Sequence, residues 1–143
     1  YDVADVAAHT TEHPVWVHFG AGNIFRGFIA VLQQSLLNQG LAKSGIIAAE
    51  TFDFDIVDKI YRPFDSLALL VGLKPDGGMV NSVVASITDA YCACKNRPEE
   101  LNKLSAIFEN PELQTKYAYL FLPRVHILLF QPHQFGTAHA CLI

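Results

Sequence analysis

The sequence has 143 residues, 51% of them hydrophobic and 17% charged, which fits one globular domain with a real core and excludes intrinsic disorder. A formal net charge of -4 removes any general attraction to nucleic acid or an anionic membrane, so an anionic ligand must be held locally, by backbone N–H groups or a single arginine. The three cysteines (Cys92, Cys94 and Cys141) are odd in number and match neither zinc nor thioredoxin spacing, as expected of reduced cytoplasmic thiols. The chain opens without a methionine, so a natural start further upstream is an expectation, and its first residues lack the basic and apolar regions of a signal peptide. Tyr117–Phe130 is the longest apolar stretch; it is too short to span a bilayer and contains Pro123, Arg124 and His126. A cytoplasmic protein with no membrane and no nucleic-acid partner is expected.

In chain order, Val15–Phe19 (VWVHF) reads as a buried parallel strand beginning after Pro14. Gly20-Ala21-Gly22 breaks the pattern. From Asn23 the apolar residues Ile24, Phe28, Val31, Leu32 and Leu36 fall at helical spacing, and Gln39-Gly40 ends the helix. Gly45 precedes a second strand, Ile46–Ala49, so a β-α-β unit of a doubly wound α/β sheet is predicted. A short helix follows at Asp55–Tyr61, stopped by Pro63. Ser66–Leu73 and Met79–Ile87 flank a Pro-Asp-Gly turn and predict an antiparallel hairpin. Pro98–Phe108 reads as a helix with proline near its first position, stopped at Asn110-Pro111. From Thr115 the character changes: the last 29 residues hold no acid, two bases and three of the six histidines. The spacing of His126, His133 and His139 matches no ligand motif, and no metal site is expected.

The strand-glycine-helix junction is the candidate site. A phosphate site there needs a tight turn, a close approach unobstructed by a Cβ, and a helix N-terminus facing the ligand. Gly20 can supply the turn and Gly22 the approach, while N–H groups from Asn23 onward supply donors and the positive end of the helix dipole. Phe25 stands where the G-x-G-x-x-G pattern has its third glycine, so on spacing alone a mere close-packing turn is the favoured reading. Arg26 can reach a phosphate or pair with an acid across the helix. A ribose-binding acid is expected about 20 residues beyond the motif. Glu50 and Asp53 both lie close enough; Asp53 is preferred because it follows the last strand residue, although it also suits the N-cap of the next helix. An acid there favours NAD over NADP.

HFGAGNIFRGF (His18–Phe28) closely resembles the N-terminal signature of the mannitol dehydrogenase family, the long-chain polyol dehydrogenases that include mannitol-1-phosphate dehydrogenases and the fructuronate and tagaturonate reductases. Phe52–Gly77 and Val83–Tyr91 are similar to the segments that follow in some members. The resemblance covers Val15 to about Gln114 and implies a Rossmann-type NAD(P)-binding domain, followed in the family by a largely helical substrate domain. It places Gly20, Ala21, Gly22, Asn23, Ile24 and Arg26 on the dinucleotide-binding signature. It also implies hydride transfer between nicotinamide and a sugar alcohol or sugar acid, without a catalytic metal. The family's acid/base lysine, in a K-x4-N-x2-H motif of the second domain, has no counterpart in this chain.

The resemblance therefore implies residues 1–114 as the cofactor-binding part, with no catalytic residue present and no turnover by the chain alone, the sugar substrate being held by a domain that is absent. The family pattern continues after Gln114 with a strand and then a T-x-T-E-K-G-Y-like segment; residues 115–143 depart from it, and their loss of acids points to a shifted or truncated reading frame. The alternative from another class is a non-catalytic nucleotide-binding or regulatory module built on the same turn.

Overall fold

The computed structural model describes residues 1–118. Helix α1 (Val3–Glu12) leads into strand β1 (Trp16–Phe19) and then a helix over 23–38, which opens with a π-helical turn at Phe25–Ile29 and continues as α2 (Ala30–Asn38). Strand β2 (Ile46–Glu50) follows, then the short α3 (Phe54–Ile56), a π-helical turn at Val57–Tyr61 and a 3-10 turn at Arg62–Phe64. The hairpin is β3 (Ala68–Leu73) with β4 (Met79–Val84), and the chain continues through β5 (Ile87–Cys92), α4 (Pro98–Glu109) and β6 (Thr115–Ala118).

Four strands pair in parallel in the order β5-β2-β1-β6, with β3-β4 forming a separate antiparallel ribbon. Counting only the strands of the main sheet, this is the third-second-first-fourth order of the Rossmann-type doubly wound fold. The sheet is covered on both faces, as parallel sheets require. On one face Ile46, Ala48, Ile87 and Ala90 pack with Phe25, Ala30, Val57 and Tyr61. On the other, Val17, Ile47 and Ala49 pack with Leu104 of α4 and Leu113. Among the described residues no helix is long and apolar enough to cross a membrane.

Several elements differ instructively from expectation. The helix over 23–38 forms, but its apolar stripe faces out: Ile24, Phe28, Leu32 and Leu36 are exposed, whereas Phe25, Ala30, Gln33 and Leu37 are buried. The hairpin strand ends at Val84, and Ile87 starts β5 in the parallel sheet, because Ala85 and Ser86 are fixed to the helix instead: Gln34 accepts the Ala85 N–H at 2.6 Å and Ser86 donates to the Ala30 carbonyl at 2.6 Å. Helix α1 was not foreseen. It docks through Thr10, whose hydroxyl accepts the Gly45 N–H at 2.8 Å at the entrance to β2. Gly45 itself allows close strand approach, since a Cβ there would lie 2.5 Å from the Ser86 carbonyl oxygen. The departure expected from Thr115 onward is corrected at its first residues: Thr115–Ala118 form β6, parallel to β1, because its backbone pairs with that strand whatever the side chains. The rest of the segment, 119–143, with its three histidines, lies outside the described residues.

His18 of β1 is 1% exposed and stacks on Phe25, with ring centroids 4.3 Å apart. Burial lowers its pKa from 6.5 to about 4, so the folded protein holds it neutral. The unfolded chain therefore binds the extra proton between about pH 6.5 and pH 4. The stabilisation from keeping His18 neutral is complete above that window and is lost as pH falls through it, a contribution on the order of 3 kcal/mol. Urea unfolding of the unaltered chain is expected to show this loss, and His18→Phe, which keeps the ring stack, is expected to lessen the pH slope in the same window.

Candidate functional site

The site lies at the carboxyl end of β1, beside the point where the strand order reverses between β1 and β6. Ligands of open α/β sheets bind at such points. The strand must leave the sheet at once for the chain to enter a helix, and Gly20 makes that turn at φ 102°, a backbone region side chains rarely adopt. Its N–H remains bonded to the Ala49 carbonyl at 2.8 Å. Gly22 has an ordinary φ and nothing within 4 Å of where a Cβ would stand. The two glycines thus have separate uses: the first shapes the backbone, and the second leaves open space above it.

Arg26 N–H is bonded to the Gly22 carbonyl at 3.1 Å. The amides of Gly22, Asn23, Ile24 and Phe25 precede that bond and are the four donors that a helix start leaves without an intrahelical acceptor. The π-helical turn begins directly beyond them at Phe25, and the Ala30 N–H closes on the Phe25 carbonyl. Such turns often accompany functional sites. Arg26 donates to the Asn23 side-chain carbonyl and lies over the Tyr61 ring, 5.7 Å from its centroid. No acid across the helix pairs with it among the described residues. Asn23, Arg26 and Gly27 also line a largely apolar cleft of about 790 Å³, closed on the other side by Phe64, Leu69 and Val83.

The two candidate acids behave differently. Glu50 is the last residue of β2, 7% exposed, and both its oxygens are engaged. One accepts the Ala21 N–H at 2.9 Å; the other accepts the Thr51 and Phe52 N–H groups at 2.8 and 3.0 Å. Asp53 is exposed, holds the N-cap position of α3, and makes no side-chain capping bond there. The Ala21 N–H, placed on the signature by resemblance, is thus already committed within the protein. The residue missed from the sequence is Tyr61, 1% exposed, whose hydroxyl donates to the Ala21 carbonyl at 2.8 Å. Burial raises its pKa far above the neutral range, so the phenol remains a donor.

A second polar cluster closes the neighbouring end of β5. Asp58 accepts from Arg97 at 2.8 Å and pairs with Arg62, while Glu100 accepts the Cys92 N–H at 2.6 Å and pairs with Arg62 at 2.7 Å. Burial, aided by the Glu100 carboxylate, pushes the Cys92 thiol up to about 11, which makes it an inert core residue.

The distinction between the glycines is measurable. Gly20→Ala is expected to destabilise the chain by about 1–2 kcal/mol through backbone strain, whereas Gly22→Ala is expected to stay within about 0.5 kcal/mol of the unaltered chain in denaturant unfolding.

No protein-family model matches the chain. It is 42% identical over 114 residues to the D-mannonate oxidoreductase of Thermotoga maritima, an alignment covering 80% of this chain and 21% of that protein. Among solved structures it is similar to the mannitol 2-dehydrogenase of Pseudomonas fluorescens in its ternary complex with NAD and D-mannitol, with a TM-score of 0.64 at 21% identity over 81% of this chain and 23% of that one. The substrate-free crystal structure of a D-sorbitol dehydrogenase gives a TM-score of 0.62 at 21% identity, over 80% of this chain and 22% of that one. These two likenesses establish the fold. The chain spans about a fifth of the length of the relatives it matches. Over that shared stretch, with HFGAGNIFRGF at its glycine turn, the chain is similar to the cofactor-binding start of a D-mannonate oxidoreductase and shares the fold of the mannitol and sorbitol dehydrogenases.

Proposed function

We propose that this chain provides the cofactor-binding part of an NAD-dependent oxidoreductase of sugar alcohols or sugar acids. The similarity to a D-mannonate oxidoreductase favours a sugar acid as the substrate of the whole enzyme. The observation that carries the reading is the open space at Gly22, directly before a helix start, at the carboxyl edge of β1 in a third-second-first-fourth sheet. Residues 1–114 form the cofactor-binding unit in this reading.

The residues present fit a dinucleotide. Gly20 shapes the turn, Gly22 leaves room for a pyrophosphate, and the amides of Gly22, Asn23 and Ile24 supply donors at the positive end of the helix dipole. Ala21 lends the turn its buried anchor, and Arg26 adds the one cation on this helix start. Asp53, exposed beyond β2, is the ribose acid, and its charge disfavours the extra phosphate of NADP. When bound, the nicotinamide supplies the hydride acceptor or donor. The chain's own part is to bind and orient; the lysine that would exchange the substrate proton in the family has no counterpart in its sequence.

Titration calorimetry tests this directly. The unaltered chain is expected to bind NAD, to bind NADP more weakly, and to show no turnover with mannonate or mannitol. Gly22→Val is expected to weaken NAD at least about tenfold with unfolding little changed, since its side chain enters space that only a ligand would use. An unaltered chain that binds neither nucleotide contradicts the reading, as does a Gly22→Val chain of unchanged affinity.

A further inference from the structure

We infer that Tyr61 and Glu50 are positioning residues that grip the two successive peptide planes on either side of the Ala21 Cα and so aim the Gly22 N–H into the candidate ligand space before any ligand arrives; the inference rests on the dinucleotide reading above. A trans peptide directs its C=O and N–H to opposite sides. The carbonyl of Ala21 accepts the Tyr61 hydroxyl at 2.8 Å, on the buried side where Ala21 is 0% exposed. The N–H of Gly22 belongs to the same peptide plane and therefore points the opposite way, away from Tyr61 and the core. Gly22 has nothing within 4 Å of its Cβ position, so the plane is bonded on its inner side and open at Gly22.

Glu50 fixes the preceding plane. Its carboxylate holds the Ala21 N–H at 2.9 Å, while its other oxygen is tied to Thr51 and Phe52. The carboxylate cannot swing outward without leaving three N–H groups behind, two of them in the loop after β2. That settles a division of labour between the two acids in this reading: Glu50 is committed inward to the turn, and Asp53 is left for the ribose. Arg26 lies over the Tyr61 ring, so the side chain that shapes the turn also supports the nearest cation. A turn held this way loses little further freedom on binding, which is the usual source of affinity from preorganisation.

Tyr61→Phe deletes one oxygen and keeps the ring beneath Arg26. Glu50→Gln turns an acceptor into an NH2 group facing either Ala21 or the Thr51 and Phe52 amides. On the 15N-labelled chain, NMR follows the Ala21 and Gly22 amides and their hydrogen exchange while NAD is titrated. Each variant is expected to bind NAD at least about fivefold more weakly, the worth of one net hydrogen bond, and to shift and deprotect those two amides while the Ile46–Ala49 amides stay protected. Equal NAD affinity in all three chains overturns the inference and leaves the functional reading standing. Unchanged Ala21 and Gly22 signals in the variants also overturn it. No NAD binding by the unaltered chain overturns the functional reading and this inference together. If Glu50→Gln deprotects the whole sheet, the Tyr61→Phe result decides.

Discussion

A single buried carboxylate, Glu50, joins the two strands on which the site is built. It ends β2, yet it bonds the turn that ends β1, so the carboxyl edges of the two central strands cannot move independently. A buried charge is costly unless its hydrogen bonds are satisfied, and three backbone N–H groups meet that condition here. The glycine turn is thus tied to β2 by the protein's own anion. It also divides the turn's donors, with the Ala21 amide used internally and the amides of Gly22, Asn23, Ile24 and Phe25 left without an intrahelical acceptor.

The β-α-β unit was legible in the sequence because its signals are local. Gly20 follows a run of apolar residues, and Gln39-Gly40 closes a helix of helical spacing. The face of that helix was not legible. Its most conspicuous apolar residues, Ile24, Phe28, Leu32 and Leu36, are exposed, while the buried side carries Gln33, whose amide donates to the Ser44 carbonyl at 2.7 Å. Periodicity identifies a stripe, but a stripe alone does not say which neighbour covers it. The hairpin shows the same pattern: Leu69 pairs across with Val83 and Leu73 with Met79, and all four are exposed.

Helix α1 was hidden for a different reason. It buries only Val6 and Thr10, so no apolar stripe marks it, and its anchor is a hydroxyl group. The inward role of Glu50 had a signal that strand parity would have revealed. Ile46, Ala48 and Glu50 alternate on one face of β2, the face that packs with Ala21 and Tyr61. Its place after the last strand residue favoured Asp53 as the ribose acid, and distance from the glycine motif, which suits both acids, was silent about which way Glu50 turned. Tyr61 was out of reach of spacing arguments, since its bond to Ala21 spans 40 residues.

The order of the sheet has a consequence in time. β1 lies between β2 and β6, and its partner on the β6 side comes about a hundred residues later in the chain. At a synthesis rate of roughly 5–20 residues per second, that edge of β1 waits on the order of 5–20 seconds on the ribosome before its neighbour exists. Its partner on the β2 side is made much sooner, so the turn can be gripped by Glu50 and Tyr61 while β1 is still an edge strand. The nascent chain thus has the parts of its ligand-facing turn before the strand that completes its surroundings, and a nucleotide that bound at that stage would stabilise an intermediate as well as the finished fold.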